Sequence, residues 1–185
     1  MLSDITILAL GDSLTEGFGV GPQDSYPVGL ETLLNKKGLN CRVINAGCNG
    51  DTCRNLMARM HRVPDFTPDL VILEIGLNDI LMGAMPERIS HMISTMAQRL
   101  TARAIPVAVA GMVLPPMGDA ETETAFAAIY PAVALALDLV LIPSFNRPAL
   151  EKTGGIQSDG IHPTATGYAA ITAHILPWVV RALNH

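Results

Sequence analysis

The stretch "ITILALGDS", residues 5–13, is an apolar run that ends in a polar turn. Four similar runs recur along the chain, and two of them, Leu70-Val71-Ile72-Leu73 and Val107-Ala108-Val109-Ala110, contain no polar residue. An unbroken apolar run of this length is typical of a strand that is covered on both faces, as in a parallel sheet. The predicted strands are Asp4–Leu10, Cys41–Asn45, Asp69–Ile75, Pro106–Met112 and Leu137–Phe145.

Helical patterns lie between these strands. The clearest runs from Pro86 to Arg103, where an apolar stripe recurs at helical spacing and proline occupies the first turn. The stripe consists of Ile89, Met92, Ile93, Met96 and Leu100. Pro131 is expected to kink or split one of the remaining helices, because proline removes a backbone donor. These further helices are predicted over Tyr26–Lys37, Asp51–Val63, Thr122–Leu135 and Thr164–Leu183.

The alternation of strands and helices predicts an α/β fold. Right-handed crossovers between five parallel strands favour a three-layer α/β/α sandwich with the flavodoxin-like strand order 2-1-3-4-5. No repeat, linker or low-complexity tract divides the chain. We therefore expect one domain over residues 1–185.

Composition excludes several classes of partner. The net charge is −5, and no basic tract is longer than Lys36-Lys37, which argues against binding to nucleic acid. No apolar run reaches the roughly 18 residues that a stable membrane span needs. The first predicted strand starts so close to Met1 that no leader is expected, which favours the cytoplasm. If a leader had been removed from this sequence, the expected location would instead be the periplasm or the exterior of the cell.

The three cysteines, Cys41, Cys48 and Cys53, match neither a zinc pattern nor a C-x-x-C redox pair. We expect free thiols in a reducing compartment, with a Cys48–Cys53 bridge as the alternative.

Polar residues follow several of the predicted strands, at the edge of the sheet where α/β proteins bind ligands. Ser13, Gly47 and Asn78 come after strands 1, 2 and 3, and Asp159 and His162 precede the last helix. A serine becomes a nucleophile when a histidine takes its proton, and an acid fixes the histidine tautomer. The amides of Ser13 and Gly47 and the side chain of Asn78 are candidate donors to an oxyanion.

Each of these residues also has an ordinary structural interpretation. Ser13 after Gly-Asp is by itself more typical of a helix cap, and Asn78 and Gly47 are common in turns. Their joint placement at one edge favours catalysis. Asp12 and Asp79 are predicted to hold loops through backbone amides. The glycine run at 17–21 is predicted to be a loop, because Pro22 follows it and the third glycine is misplaced for nucleotide binding.

Four blocks of this chain resemble those of the SGNH (GDSL) hydrolases, and most closely the bacterial arylesterase and thioesterase/lysophospholipase branch. They are Gly11-Asp12-Ser13-Leu14, Gly47, Gly76-Leu77-Asn78-Asp79 and Asp159-Gly160-Ile161-His162-Pro163. The resemblance implies a triad of Ser13, Asp159 and His162, with an oxyanion hole of Ser13, Gly47 and Asn78, and no metal or cofactor. Cys48 departs from the small residue or serine that is more usual there. Thr15 excludes the G-x-S-x-G elbow of the larger α/β-hydrolases.

Two apolar, methionine-rich loops, residues 80–85 and 112–117, are expected to form the pocket walls and to suit an acyl or aryl group. The predicted substrate-binding residues are Ile80, Leu81, Met82, Leu114, Pro115 and Ile161. We expect a serine esterase acting on short- to medium-chain acyl or aryl esters, with thioesters and lysophospholipids as further candidates. Two alternatives stay open: an SGNH acyltransferase or carbohydrate deacetylase, and a non-catalytic flavodoxin-like module. The sequence leaves the oligomeric state open.

Overall fold

The computed structural model describes residues 5–115 and 119–185. Its sheet has five parallel strands in the order β2-β1-β3-β4-β5, which confirms the predicted topology. Asp4 of the first predicted strand, and Pro116 and Met117 of the second predicted pocket loop, lie outside the described residues. The strands are β1 Ile5–Gly11, β2 Cys41–Gly47, β3 Leu70–Leu73, β4 Val107–Ala110 and β5 Val140–Ile142.

The helices form the outer layers of the sandwich. Helix α2 packs against α8, whereas α5 packs against α3 and α6. The helices are α1 Ser13–Glu16, α2 Tyr26–Lys36, α3 Cys53–Arg59, α4 Leu77–Leu81, α5 Pro86–Thr101, α6 Ala120–Ala136, α7 Arg147–Glu151 and α8 Ala165–Leu183, with 3₁₀ turns over Pro22–Asp24 and Met60–Phe66.

Apolar stripes attach the two long helices to the sheet. On α5, four of the five predicted stripe residues are buried and Met92 is half-buried. On α8, Tyr168, Ile171, Ile175 and Val179 are fully buried, as their spacing predicts. Each such side chain contributes about 1.5–3 kcal/mol relative to exposure, so this packing fixes where the loops at the carboxyl edge lie.

Two helix predictions were wrong in detail. The helix predicted over Asp51–Val63 is α-helical only over Cys53–Arg59 and continues as a 3₁₀ turn, because Pro64 cannot donate to the carbonyl of Met60. Helix α6 continues through Pro131 without a break. Pro131 is exposed, so the missing hydrogen bond lies on the solvent side of the helix, which water can reach.

Two further predictions concern membranes and thiols. None of the helices in residues 5–115 and 119–185 has the length and apolar character needed to cross a bilayer. Cys41, Cys48 and Cys53 are free thiols, with Cys48 exposed and the other two buried, so the alternative of a Cys48–Cys53 bridge was wrong.

Candidate active site

The first block forms a tight turn between β1 and the short helix α1. The Asp12 Oδ1 atom accepts a hydrogen bond from the Leu14 amide at 3.0 Å, which caps α1 and confirms the predicted structural role of Asp12. Ser13 is the first residue of α1, and its amide donates to none of the described residues. Gly17, at a φ of 93°, ends the helix after one turn. The turn therefore presents the hydroxyl and a free amide of Ser13 together.

Ser13, His162 and Asp159 form a continuous hydrogen-bonded chain. The Nε2 atom of His162 lies 2.9 Å from Oγ of Ser13, and its Nδ1 atom lies 2.7 Å from Oδ2 of Asp159. Ser13 is buried, whereas Asp159 is exposed at the surface end of the chain. The imidazole thus has one nitrogen on a hydroxyl and the other on a carboxylate, an arrangement that can move a proton from the hydroxyl to the imidazole.

Asp159 is anchored by the turn that carries it. Its Oδ1 atom accepts hydrogen bonds from the amides of Ile161 at 2.9 Å and His162 at 3.0 Å. Partial burial raises the pKa of Asp159, but these two amides and the His162 imidazole outweigh it and hold the pKa below its ordinary value. The carboxylate therefore stays ionised beside the imidazole.

Asn78 lies near the start of α4 and reaches across to both neighbouring loops. Its Nδ2 atom donates to the carbonyl of Asp51 at 2.9 Å and makes a longer contact of 3.3 Å with Oδ2 of Asp12. Asp79, the next residue, accepts a hydrogen bond from the Cys53 amide at 2.8 Å and so holds the start of α3, as predicted. Asn78 therefore contacts the turn that carries Ser13, and Asp79 holds the start of α3.

Gly47 does not offer the free amide that was predicted for it. Its N–H donates to Oδ1 of Asn45 at 2.9 Å. A side chain at Gly47 would lie 2.1 Å from the amide nitrogen of Glu16, so the glycine is required by close packing against the backbone of α1. The structure therefore explains Gly47 by packing and contradicts its predicted role as an oxyanion donor.

Gly50, three residues further on, has the properties expected of Gly47. Its amide donates no hydrogen bond to the described residues, its φ is +79°, and a side chain there would meet nothing within 4 Å. The next residue, Asp51, is the one whose carbonyl binds Asn78. The sequence analysis assigned the donor to Gly47 because no local pattern distinguishes the two glycines of this loop.

A buried acidic network lies behind the nucleophile turn. Oε2 of Glu74 accepts hydrogen bonds from the Thr15 hydroxyl at 2.8 Å and the Asp12 amide at 3.3 Å, and the Thr15 hydroxyl lies 3.3 Å from that of Tyr26. Burial raises the pKa of Glu74 to about 7. Burial and the neighbouring Glu74 also raise the pKa of Asp12. Glu74 was missed because it reads as the polar end of an apolar strand.

One aromatic side chain packs directly against the triad. The ring of Phe18 packs on the imidazole of His162 with centroids 4.5 Å apart, a contact that sequence analysis missed within a glycine-rich loop. Among the predicted substrate-binding residues, Leu81 and Met82 are exposed, Ile80, Leu114 and Ile161 are half-buried, and Pro115 is buried. Leu114 lines a cavity of about 420 Å³ between α6 and α7 that includes no triad residue.

Groups of three His, Cys, Asp or Glu side chains arranged to hold a metal ion do not occur in the part of the chain that the structure describes.

Comparisons with known proteins identify the family of this chain. Residues 9–170 match the GDSL-like Lipase/Acylhydrolase family. Esterase TesA of Pseudomonas aeruginosa is 32% identical over 93% of this chain and 86% of its own length. The arylesterase of Vibrio mimicus is also 32% identical, over 96% of this chain and 89% of its own. The crystal structure of AlinE4, an SGNH-hydrolase family esterase, is 37% identical, with a TM-score of 0.81 and 98% of both chains covered.

The fold and the hydrogen-bonded Ser-His-Asp chain define an SGNH-type hydrolase. The chain belongs to the GDSL-like lipase/acylhydrolase family.

Proposed function

We propose that the chain is a serine esterase that cleaves carboxylic esters through an acyl-enzyme on Ser13. One observation carries the proposal, the chain of hydrogen bonds from Ser13 Oγ through His162 to Asp159, at 2.9 and 2.7 Å. A serine hydroxyl is a weak nucleophile until a base removes its proton, and His162 is the base within reach. Asp159 orients the imidazole and stabilises its positive charge once the proton has moved.

The reaction then runs in two halves. Ser13 Oγ attacks the ester carbonyl while its proton passes to His162, and the tetrahedral intermediate collapses as His162 protonates the departing alcohol. Water enters, gives a proton to His162 and attacks the acyl-enzyme. The acid then leaves, and His162 returns the proton to Ser13. Each half passes through an oxyanion that needs hydrogen-bond donors.

We assign those donors to the free amides of Ser13 and Gly50 and to the side chain of Asn78. One N–H of Asn78 is held by Asp51, and the other makes only the 3.3 Å contact with Asp12, so it can turn to the oxyanion. Donors held in place before the reaction stabilise the charge that develops, and each is worth about 2.7–4 kcal/mol. Gly50 takes the place that sequence analysis gave to Gly47.

The surroundings favour an apolar acyl or aryl group. Leu81, Met82 and Met85 follow Asn78 and are exposed, and Phe18 covers His162. Exposed apolar groups of this kind beside a polar centre suit a ligand with a hydrophobic portion. Short- to medium-chain acyl esters and aryl esters fit this chemistry, in line with the names of the esterase and arylesterase relatives. Thioesters and lysophospholipids have the same electrophilic carbonyl and extend the substrate range.

We also propose that the chain acts as one domain, because its functional residues come from loops of one sheet. The three free cysteines are compatible with a reducing compartment and support the cytoplasm. Cell fractionation with antibodies to the native protein tests the location.

Hydrolysis of a panel of p-nitrophenyl esters by the native protein and Ser13→Ala tests the proposal. We expect turnover with acetate to octanoate esters, and a loss in kcat of at least about 10³-fold in the variant. A p-nitrophenyl phosphonate ester should transfer its phosphonyl group to the native protein with loss of p-nitrophenol, and should not label the variant, as measured by intact mass. Full activity in a folded Ser13→Ala variant, or no turnover of any ester by the native protein, would overturn the proposal.

A further inference from the structure

Arg59, the last residue of α3, makes three hydrogen bonds to three separate segments. Its Nε atom donates to Oδ2 of Asp51 at 2.6 Å, Nη1 donates to the carbonyl of Ala46 at 2.9 Å, and Nη2 donates to the carbonyl of Gly11 at 2.8 Å. A guanidinium has its donors in a planar, rigid fork, so these three bonds define the relative positions of their acceptors.

Two of the three acceptors, Gly11 and Asp51, are linked directly to groups that the proposed mechanism uses, whereas the Ala46 carbonyl lies on β2 beside Gly47. Gly11 lies two residues before Ser13, at the carboxyl end of β1. Asp51 follows Gly50 directly, and its carbonyl holds the Asn78 side chain at 2.9 Å. One guanidinium therefore connects the segments that carry all three proposed oxyanion donors, although it contacts none of those donors itself.

The charges make this link hard to replace. The carboxyl side chain of Asp51 is only 10% exposed, and Arg59 is the cation that pairs with it. A buried carboxylate that loses its partner is strongly unfavourable, so removing the guanidinium forces the Asp51 side chain to move. That movement shifts the loop of Gly50 relative to the nucleophile turn, because Asp51 is part of that loop.

We propose that Arg59 is a positioning residue that aligns the oxyanion donors of Ser13, Gly50 and Asn78. This inference rests on the proposed function, since it needs an oxyanion to form beside Ser13. An oxyanion exists in the transition state and not in the bound ester, so misaligned donors lower kcat and leave ester binding nearly unchanged. A purely structural arginine would instead affect stability and would not separate kcat from KM.

The test uses Arg59→Ala and Arg59→Lys, with Arg62→Ala as the matched control. Arg62 lines the same cavity of about 210 Å³ as Arg59 and is exposed, and its side chain makes no ion pair or hydrogen bond with the described residues. In Arg59→Ala we expect kcat for p-nitrophenyl butyrate to fall about 100-fold, since a misplacement of about 1 Å costs that much. KM should change by less than about threefold. The kcat of Arg59→Lys should lie between those of the native protein and Arg59→Ala, because lysine retains the positive charge but lacks the planar set of donors.

Two further measurements are specific to alignment. Phenylboronic acid forms a tetrahedral adduct on a catalytic serine that mimics the oxyanion, so its inhibition constant should rise in parallel with the loss of kcat. Guanidinium chloride, below the concentrations that unfold the protein, should restore part of the kcat of Arg59→Ala, because the site of the Arg59 side chain is 28% exposed in the native protein. Sodium chloride at equal ionic strength should not, and Arg62→Ala should not respond.

The inference is overturned if folded Arg59→Ala keeps kcat within about twofold of the native value, or if its kcat falls while boronic acid inhibition is unchanged. If Arg59→Ala does not fold, the same two comparisons on Arg59→Lys decide. Failure of the proposed function is distinct: in that case Ser13→Ala would keep its activity and phosphonate would not label Ser13. Failure of the inference alone leaves both Ser13 results intact.

Discussion

His162 and Ser13 lie 149 residues apart in the chain, yet Nε2 of the first is 2.9 Å from Oγ of the second. The turn that carries His162 is held at both ends to make this contact. An antiparallel bridge pairs Ile156 with Pro163, and the side chain of Gln157 donates to the carbonyls of Phe18 and Pro163. The Phe18 amide in turn donates to the Ser13 carbonyl. The segments that carry Ser13 and His162 are therefore linked through backbone groups and the Gln157 side chain, in addition to the direct hydrogen bond between Ser13 and His162.

Asp159→Asn tests the role of the acid in this chain. The amide can no longer stabilise the imidazolium or hold its tautomer, so kcat should fall by at least about 10²-fold while the fold persists. Since hydrogen bonds keep the pKa of Asp159 below 3.8, protonation of this carboxylate should not cause the loss of activity on mild acidification. The measurement is kcat against pH for native protein and variant. Asp65→Asn, at an exposed position, is the control, and equal kcat in both variants would refute the role.

Gly47→Ala and Gly50→Ala separate packing from catalysis. The added methyl at Gly47 collides with the backbone of Glu16, so we expect about 3 kcal/mol of destabilisation. At Gly50 there is room for the methyl but the φ of +79° is strained, so about 1–2 kcal/mol is expected. Strain at the proposed donor should also lower kcat about 10- to 100-fold. Thermal melting and kcat together check this; a stable Gly47→Ala variant without activity would restore Gly47 as a donor.

Phe18→Ala tests the aromatic wall over the imidazole. Removal of an apolar contact of roughly 40 Å² costs about 1 kcal/mol, which corresponds to about a fivefold higher KM for a p-nitrophenyl hexanoate substrate. The acetate ester should be affected less, because its acyl group is too short to use the wall. Val28→Ala is the control, since Val28 has the same exposed fraction of 40% on α2. Equal changes in KM for both esters would show that Phe18 does not contact the acyl chain.

Glu74→Gln tests the buried acid behind the nucleophile turn. Burial raises its pKa from 4.5 to about 7, so the folded protein binds more protons than the unfolded chain between these values. The free energy of unfolding contributed by this group therefore falls as the pH rises from about 4.5 to about 7. Glu74→Gln should flatten this dependence in urea unfolding at about pH 5 and about pH 8. Glu87→Gln, on the exposed face of α5, should not; a native protein that is insensitive to pH in this range would contradict the prediction.

The layer order of the fold is predictable from the sequence because it depends on hydrophobic patterns. Runs such as Leu70-Val71-Ile72-Leu73 have no polar face, so they can only be central strands. Element ends are less predictable, since they depend on the balance of backbone bonds. The effect of a proline inside a helix is also hard to predict: Pro131, which would break a buried helix, is tolerated in α6 because its face is exposed.

The Ser13, Asp159 and His162 contacts follow from spacing and resemblance, but the finer parts of the site do not. Gly50 has a free amide and Gly47 does not, because the Asn45 side chain accepts the hydrogen bond of the Gly47 amide. Phe18 and Arg59 act through contacts with segments far away in the chain, and no local pattern marks such contacts. Their roles become visible only when the strands are placed side by side.

The turn at Asp159–His162 carries both the acid and the base of the triad. Because the carboxylate binds both the imidazole and the amides of its own turn, a movement of this segment that breaks the contact with Ser13 carries the two residues together. The hydrogen bond between Asp159 and His162 is local to this turn, so it would survive such a movement. Transfer of this turn to a related protein would therefore carry the proton acceptor His162 together with the acid that orients it.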